Sequence, residues 1–92
     1  MLNQTSASHR RYLEFLHPKP VVIEENVWVG FEAVILPGVT IGRGAIIGSK
    51  SIIAQDVPPY AVMVGNPGRI IKYLDPTDTP ELKQKAINEI IG

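Results

Sequence analysis

The chain has 92 residues, 45% of them hydrophobic, with nine basic and nine acidic residues that cancel and no cysteine. One small domain fits that length, and much of its surface stays exposed after folding. The zero net charge excludes a general affinity for nucleic acid or an anionic membrane, and the missing cysteines exclude disulfides and thiolate metal sites, leaving oligomerisation to supplement a small core.

The first nineteen residues read as an N-terminal arm and loop. They hold both histidines, His9 in SASHRRYLEF and His17 in HPKP, with Arg10 and Arg11 in mid-segment. They lack the apolar run of a signal peptide, and nothing in the sequence approaches the ~20 apolar residues of a membrane span. The expectation is a cytoplasmic protein with no membrane partner. Arg11, Tyr12, Leu13, Phe15 and Leu16 are an amphipathic group suited to covering the exposed edge of whatever follows.

From Ile23 onward an aliphatic β-branched residue returns at every sixth position: Ile23, Val29, Ile35, Ile41, Ile47 and Ile53. A period of six suits neither a helix nor a simple strand. Four places further on in each hexad stand Val27, Ala33, Val39, Ala45, Ser51 and Val57, a second row of small or β-branched residues. Between the rows fall Glu25-Asn26, Pro37-Gly38, Arg43-Gly44, Ser49-Lys50 and Gln55-Asp56, mostly turn formers. Each hexad is thus a short strand and a corner, and three hexads close one coil of a triangular prism. The register predicts Ile23 stacked on Ile41, Val29 on Ile47 and Ile35 on Ile53, with two complete coils over residues 23–58. Gly30, Gly42 and Gly48 follow inward residues, where a side chain would crowd the corner or a ligand.

Beyond the prism, Gly65-Asn66-Pro67-Gly68 reads as a turn, and Arg69 and Lys72 follow it at helical or looped spacing. The segment DPTDTPELKQKAINEIIG then reads as a linker and a helix, with Thr79 as N-cap, Pro80 in the first turn and Gly92 as a stop. Leu82, Ala86, Ile87, Ile90 and Ile91 share one face, which is expected to pack on the prism or a neighbour.

Pro20 to Leu74, with NVWVG, PGVTIG and DVPPYAVMVGNPGRII in that order, resembles the C-terminal part of hexapeptide-repeat acyltransferases, in the branch that acetylates sugars, antibiotics and xenobiotics. The resemblance implies an all-β fold, a left-handed parallel β-helix, with a short C-terminal α-helix. The implied divisions are an arm at 1–19, the β-helix at 20–64, and a CoA-binding-type turn, linker and helix at 65–92. It further implies a homotrimer that takes acetyl-CoA as acyl donor, with the cofactor lying between two subunits' prisms, and no metal.

Carried over position by position, the resemblance places Gly48 and Ser49 against pantetheine and Trp28 as a wall of that arm. Ala54, Asn66 and Pro67 also fall at cofactor-binding positions, and Arg69 and Lys72 match the cations that meet CoA phosphates. Relatives carry Thr-Lys where this chain has Ala54-Gln55, so one phosphate cation is gone, and Phe31 and Lys50 replace small residues beside the groove. The family's general base is a histidine. His9 is assigned that role, with His17, at the entry to the first strand, as the alternative base or a turn former.

Other readings fail on residues. A β-helix carbonic anhydrase needs metal-ligating histidines within the hexads, and an ice-binding prism needs rows of threonine, whereas only Thr40 lies there. The alternative from another class is a catalytically inactive β-solenoid trimer serving in assembly.

Overall fold

The computed structural model describes residues 19–91. Six two-residue strands come first: β1 (Val22–Ile23), β2 (Trp28–Val29), β3 (Val34–Ile35), β4 (Thr40–Ile41), β5 (Ile46–Ile47) and β6 (Ile52–Ile53). Then follow β7 (Ala61–Val64), β8 (Arg69–Tyr73) and one helix, α1 (Pro80–Ile91). Described in this way the chain is mostly sheet with one short C-terminal helix.

The six-residue period becomes a coil because each strand pairs in parallel with the strand three hexads later. Ile23 stands against Ile41, Val29 against Ile47 and Ile35 against Ile53, the pairing that the spacing predicts. Ile41, Ile47 and Ile53 are fully buried, and they share a core with Val39, Ala45, Val57, Ala61 and Met63. The neighbouring coil supplies each strand's hydrogen bonds, such as Trp28 N–H to the Ala45 carbonyl at 3.0 Å and Gly30 N–H to the Ile47 carbonyl at 2.8 Å. Bonds within a coil are confined to the corners, such as Ala33 N–H to the Gly30 carbonyl at 3.3 Å and Ala45 N–H to the Gly42 carbonyl at 3.2 Å.

Corners recur with a fixed backbone. Asn26, Glu32, Gly38, Gly44, Lys50 and Tyr60 all have left-handed φ values, between 57° and 83°. Phe31-Glu32 makes a corner as good as the others, although neither residue is a typical turn former. Gly30 is required for a different reason, since a Cβ there would lie 2.5 Å from the backbone nitrogen of Ser49 on the next coil.

The third coil departs from the predicted register. Gln55-Asp56 does not form a corner like the rest. Val57 bridges Ile41, and β7 pairs with β5 as Ile46 to Val62 and Ile47 to Met63, so the offset between coils falls from eighteen residues to sixteen and the second coil closes two residues early. The two missing residues fall at 54–56, where the Asp56 carboxylate accepts the Thr40 N–H at 2.8 Å. Pro58-Pro59-Tyr60 then makes a regular corner opposite Gly42-Arg43-Gly44, with the Tyr60 N–H donating to the Arg43 carbonyl at 2.9 Å.

A second correction concerns Arg69 and Lys72. They lie on β8, not on a helix or loop, and β8 runs antiparallel to β7. The turn at 65–68 is thus a hairpin turn, and it reverses the chain after the last parallel strand.

α1 begins as predicted, with the Thr79 hydroxyl accepting the Leu82 N–H at 3.3 Å. Its apolar face is only partly used. Ile87 is buried with Ile46 and Val62, and Ile90 packs against the same cluster, whereas Leu82 is half-exposed beside a shallow groove shared with Lys72 and Tyr73. The first turn is held at the prism corner by Lys83, whose ammonium donates to the Asn26 carbonyl at 3.2 Å. Only the later turns then reach the sheet.

Candidate functional site

Strand parity decides which predicted residues can act together. In the sheet β2-β5-β7-β8, Trp28, Ile46, Val62 and Lys72 form one cross-strand row. Ile46 and Val62 of that row lie under α1, so the row faces outward and Trp28 and Lys72 share its face. Arg69, paired with Val64, lies on the same side. Strand spacing separates Trp28 from Lys72 by about 14 Å, with the helix docked between them. Both cations are exposed, and Arg69 donates through Nη1 to the Gly68 carbonyl at 2.9 Å, which turns its guanidinium back toward the hairpin.

Ser49 sits at the corner between β5 and β6, and its hydroxyl accepts the Phe31 N–H at 3.2 Å. Lys50 N–H donates to the Phe31 carbonyl at 2.8 Å, locking the two coils' corners together. Gly48 is buried, and a Cβ there would meet Val64 Cγ1 at 2.5 Å. Beyond the corner, the hairpin turn is bound to β6 on both sides. Ile52 N–H donates to Gly65, and Gly68 N–H donates back to the Ile52 carbonyl, each at 2.9 Å. The buried Ser51 hydroxyl accepts the Gly65 N–H at 3.0 Å. These bonds seat Asn66 and Pro67, joined by a cis peptide bond, beside the strand that Ala54 follows.

The predicted cofactor positions therefore trace a strip around a prism corner, which α1 interrupts between Trp28 and Lys72: Trp28, Arg69 and Lys72 on one sheet, Gly48 and Ser49 at the bend, Ala54, Asn66 and Pro67 around β6. His9 and His17 lie outside the described residues. Among the described residues no group of histidine, cysteine or carboxylate side chains could hold a metal ion, and no helix is long and apolar enough to cross a membrane. Nor does any buried side-chain nitrogen or oxygen there lack a partner.

Among the described residues Phe31 is the most exposed large hydrophobic one, at 70%. Its place beside Ser49 could be read from the sequence, because Phe31 and Ser49 are one 18-residue coil apart. A second feature could not. At another corner, Glu25, Arg43, Tyr60, Asp78 and Lys83 line a recess of about 320 Å³ beneath the linker to α1. Tyr60 reaches it because the second coil closes two residues early. On the linker itself, the Thr77 hydroxyl and N–H both donate to Asp75 Oδ1, at 2.7 and 2.9 Å. Those bonds favour the ionised carboxylate and hold it below its usual range.

Residues 20–55 match the family described as bacterial transferase hexapeptide (six repeats). An acetyltransferase-named protein of Staphylococcus aureus is 37% identical over 81 residues, which are 88% of this chain and 39% of that protein. A chloramphenicol acetyltransferase of Klebsiella aerogenes is 53% identical over 51 residues, 55% of this chain and 24% of its own. Among solved structures, a hexapeptide-repeat acetyltransferase of Vibrio cholerae complexed with acetyl coenzyme A superposes with a TM-score of 0.61. It is 46% identical, over 62% of this chain and 31% of that one. The chain thus spans less than half the length of these relatives. Residues 20–55 thus carry the repeats described by the bacterial transferase hexapeptide model.

Proposed function

We propose that the strip across the prism corner is an acetyl-CoA groove, and that the chain transfers an acetyl group from CoA to a hydroxyl or amine of a small-molecule acceptor. The observation that carries this reading is the hairpin turn bonded to β6. It seats Asn66-Pro67 beside the strand and sends Arg69 and Lys72 onto the face that holds Trp28. The Vibrio cholerae relative, whose structure was determined with acetyl coenzyme A, supports the choice of ligand.

In this reading the small residues at the bend admit the pantetheine arm close to backbone, Trp28 walls it, Ala54 lies along it, and Arg69 and Lys72 meet phosphates. His9, from the arm at 1–19, takes the proton of the acceptor hydroxyl as its oxygen bonds to the thioester carbonyl carbon. A backbone N–H stabilises the oxyanion. Collapse of the tetrahedral adduct breaks the carbon–sulfur bond, and the thiolate of CoA takes a proton as it leaves. The coil at 20–64 has the left-handed sense, residues 65–92 complete the cofactor turn and helix, and three copies assemble in the cytoplasm so that each groove is walled by a neighbour. Exposed apolar residues such as Phe31, Val34 and Ile71 suit that assembly.

Calorimetric titration of the full chain with acetyl-CoA tests the reading. Saturable binding is expected, and Arg69→Ala is expected to weaken it by roughly tenfold or more, the loss of one charge-assisted contact of 1.5–3 kcal/mol. Unchanged affinity in that variant removes Arg69 from the groove. His9→Ala is expected to abolish acetyl transfer while leaving CoA affinity intact, and retained turnover rejects His9 as base. No binding at millimolar CoA makes the prism a scaffold.

A further inference from the structure

The recess beneath the α1 linker lies at a different corner from the cofactor strip, and its charges are arranged unusually. Arg43 and Lys83 bring two cations to it, Glu25 and Asp78 two carboxylates, and among the described residues none of the four forms an ion pair. Asp75 also lines the recess, but the two Thr77 bonds commit its carboxylate to the linker turn.

Arg43 and Glu25 occupy the same corner position on successive coils, yet they do not meet. The Arg43 guanidinium lies over the Tyr60 ring instead, 5.7 Å from its centroid, a cation–π arrangement. Tyr60 is held there because its ring lies against bare backbone, where a Cβ on Gly44 would come within 2.5 Å of it. Lys83 is tethered to the Asn26 carbonyl. The cations are therefore fixed by contacts other than the carboxylates, and both signs remain available to a guest. Leu74, Pro76 and Pro80 complete an apolar wall.

We infer that this recess binds a free zwitterionic α-amino acid with an aliphatic side chain. The ligand's carboxylate meets Arg43, its ammonium meets Glu25 and Asp78, and its side chain lies against Leu74 and Pro80. Two opposed pairs of charge select a ligand that carries both signs, because a simple anion or cation gains from one pair and is repelled by the other. A recess of about 320 Å³ lies at the small end of the range for ligand pockets, which fits one amino acid rather than a nucleotide.

The test is a nuclear magnetic resonance titration of the ¹⁵N-labelled full chain with L-leucine up to about 20 mM, the range of a weak millimolar site. Saturable shifts are expected at the Gly44, Tyr60 and Lys83 amides, with Gly48 and Ser49 unmoved. L-leucine methyl ester, which lacks the carboxylate, and N-acetyl-L-leucine, which lacks the ammonium, are expected to bind at least about tenfold more weakly. Arg43→Gln is expected to lose affinity to the same degree. The ligand comparisons use the unaltered chain, so they stand even if that variant folds poorly. Absence of shifts overturns the proposal, as does equal binding by either derivative, by inorganic phosphate or by the neutral polyol myo-inositol.

Discussion

Single residues in this prism are constrained by the coil above or below them more than by their chain neighbours. Gly30 and Gly38 make the contrast testable. At Gly30 the obstacle is the Ser49 backbone 2.5 Å away, while at Gly38 the nearest atom is Lys19 Cβ at 3.5 Å and the constraint is a φ of +83°. Gly30→Ala is expected to destabilise by about 1–3 kcal/mol through overpacking, and Gly30→Asn by at least as much. Gly38→Ala is expected to cost about 1–2 kcal/mol through left-handed backbone strain, most of which Gly38→Asn recovers, because asparagine tolerates that region. Urea denaturation of the four variants reads both patterns. The close approach at Gly30 was legible in the sequence, since the residue follows an inward aliphatic in the hexad. The corners at Phe31-Glu32 and Tyr60 were not, because tertiary pairing imposes a left-handed backbone there on residues with little intrinsic preference for it.

At the scale of elements, the strands have almost no independent existence. A two-residue strand is fixed only by its neighbours, which is why periodicity reads this fold better than propensity does. The aliphatic row gave the pairing of β1 with β4, β2 with β5 and β3 with β6. The reading failed at residues 54–56, where the second coil shortens, and at β8, where a hairpin replaces the period. Trp28, Arg69 and Lys72 could be named from the resemblance, but that they share a face depends on the antiparallel pairing of β8, which no repeat announces. α1 is the element most dependent on one residue. Ile87 is 3% exposed and docks on Ile46 and Val62, and a twelve-residue helix is marginal alone. Ile87→Ala is expected to cost about 2–5 kcal/mol and to release the helix before the coils unfold. Helical circular dichroism lost at lower urea than the exchange protection of β5 would show this, and coincident loss would mean that helix and prism fold as one unit.

For the molecule as a whole, burial is graded along the prism axis. Ile46 and Ile47 of the second coil are fully buried, whereas Trp28 and Val29 of the first are 44% and 40% exposed. Their amide hydrogen bonds are equally short, with Gly30 N–H at 2.8 Å and Gly48 N–H at 2.9 Å from their acceptors. Any difference in hydrogen exchange therefore reports the free energy of opening and not the presence of a bond. The Gly30 amide is expected to exchange measurably faster than that of Gly48. Equal protection would mean that the first coil is covered, by residues 1–18 or by another copy.

The shortened second coil and the reversed β8 also give the prism a direction. Addition of a parallel coil needs a parallel edge in the eighteen-residue register, and the chain presents its neighbour with an antiparallel strand at that end. Copies stacked head to tail would need one competent edge at each end to propagate as a fibre. Among the described residues, the face that carries β8 ends in an antiparallel strand and offers no edge in the parallel register there.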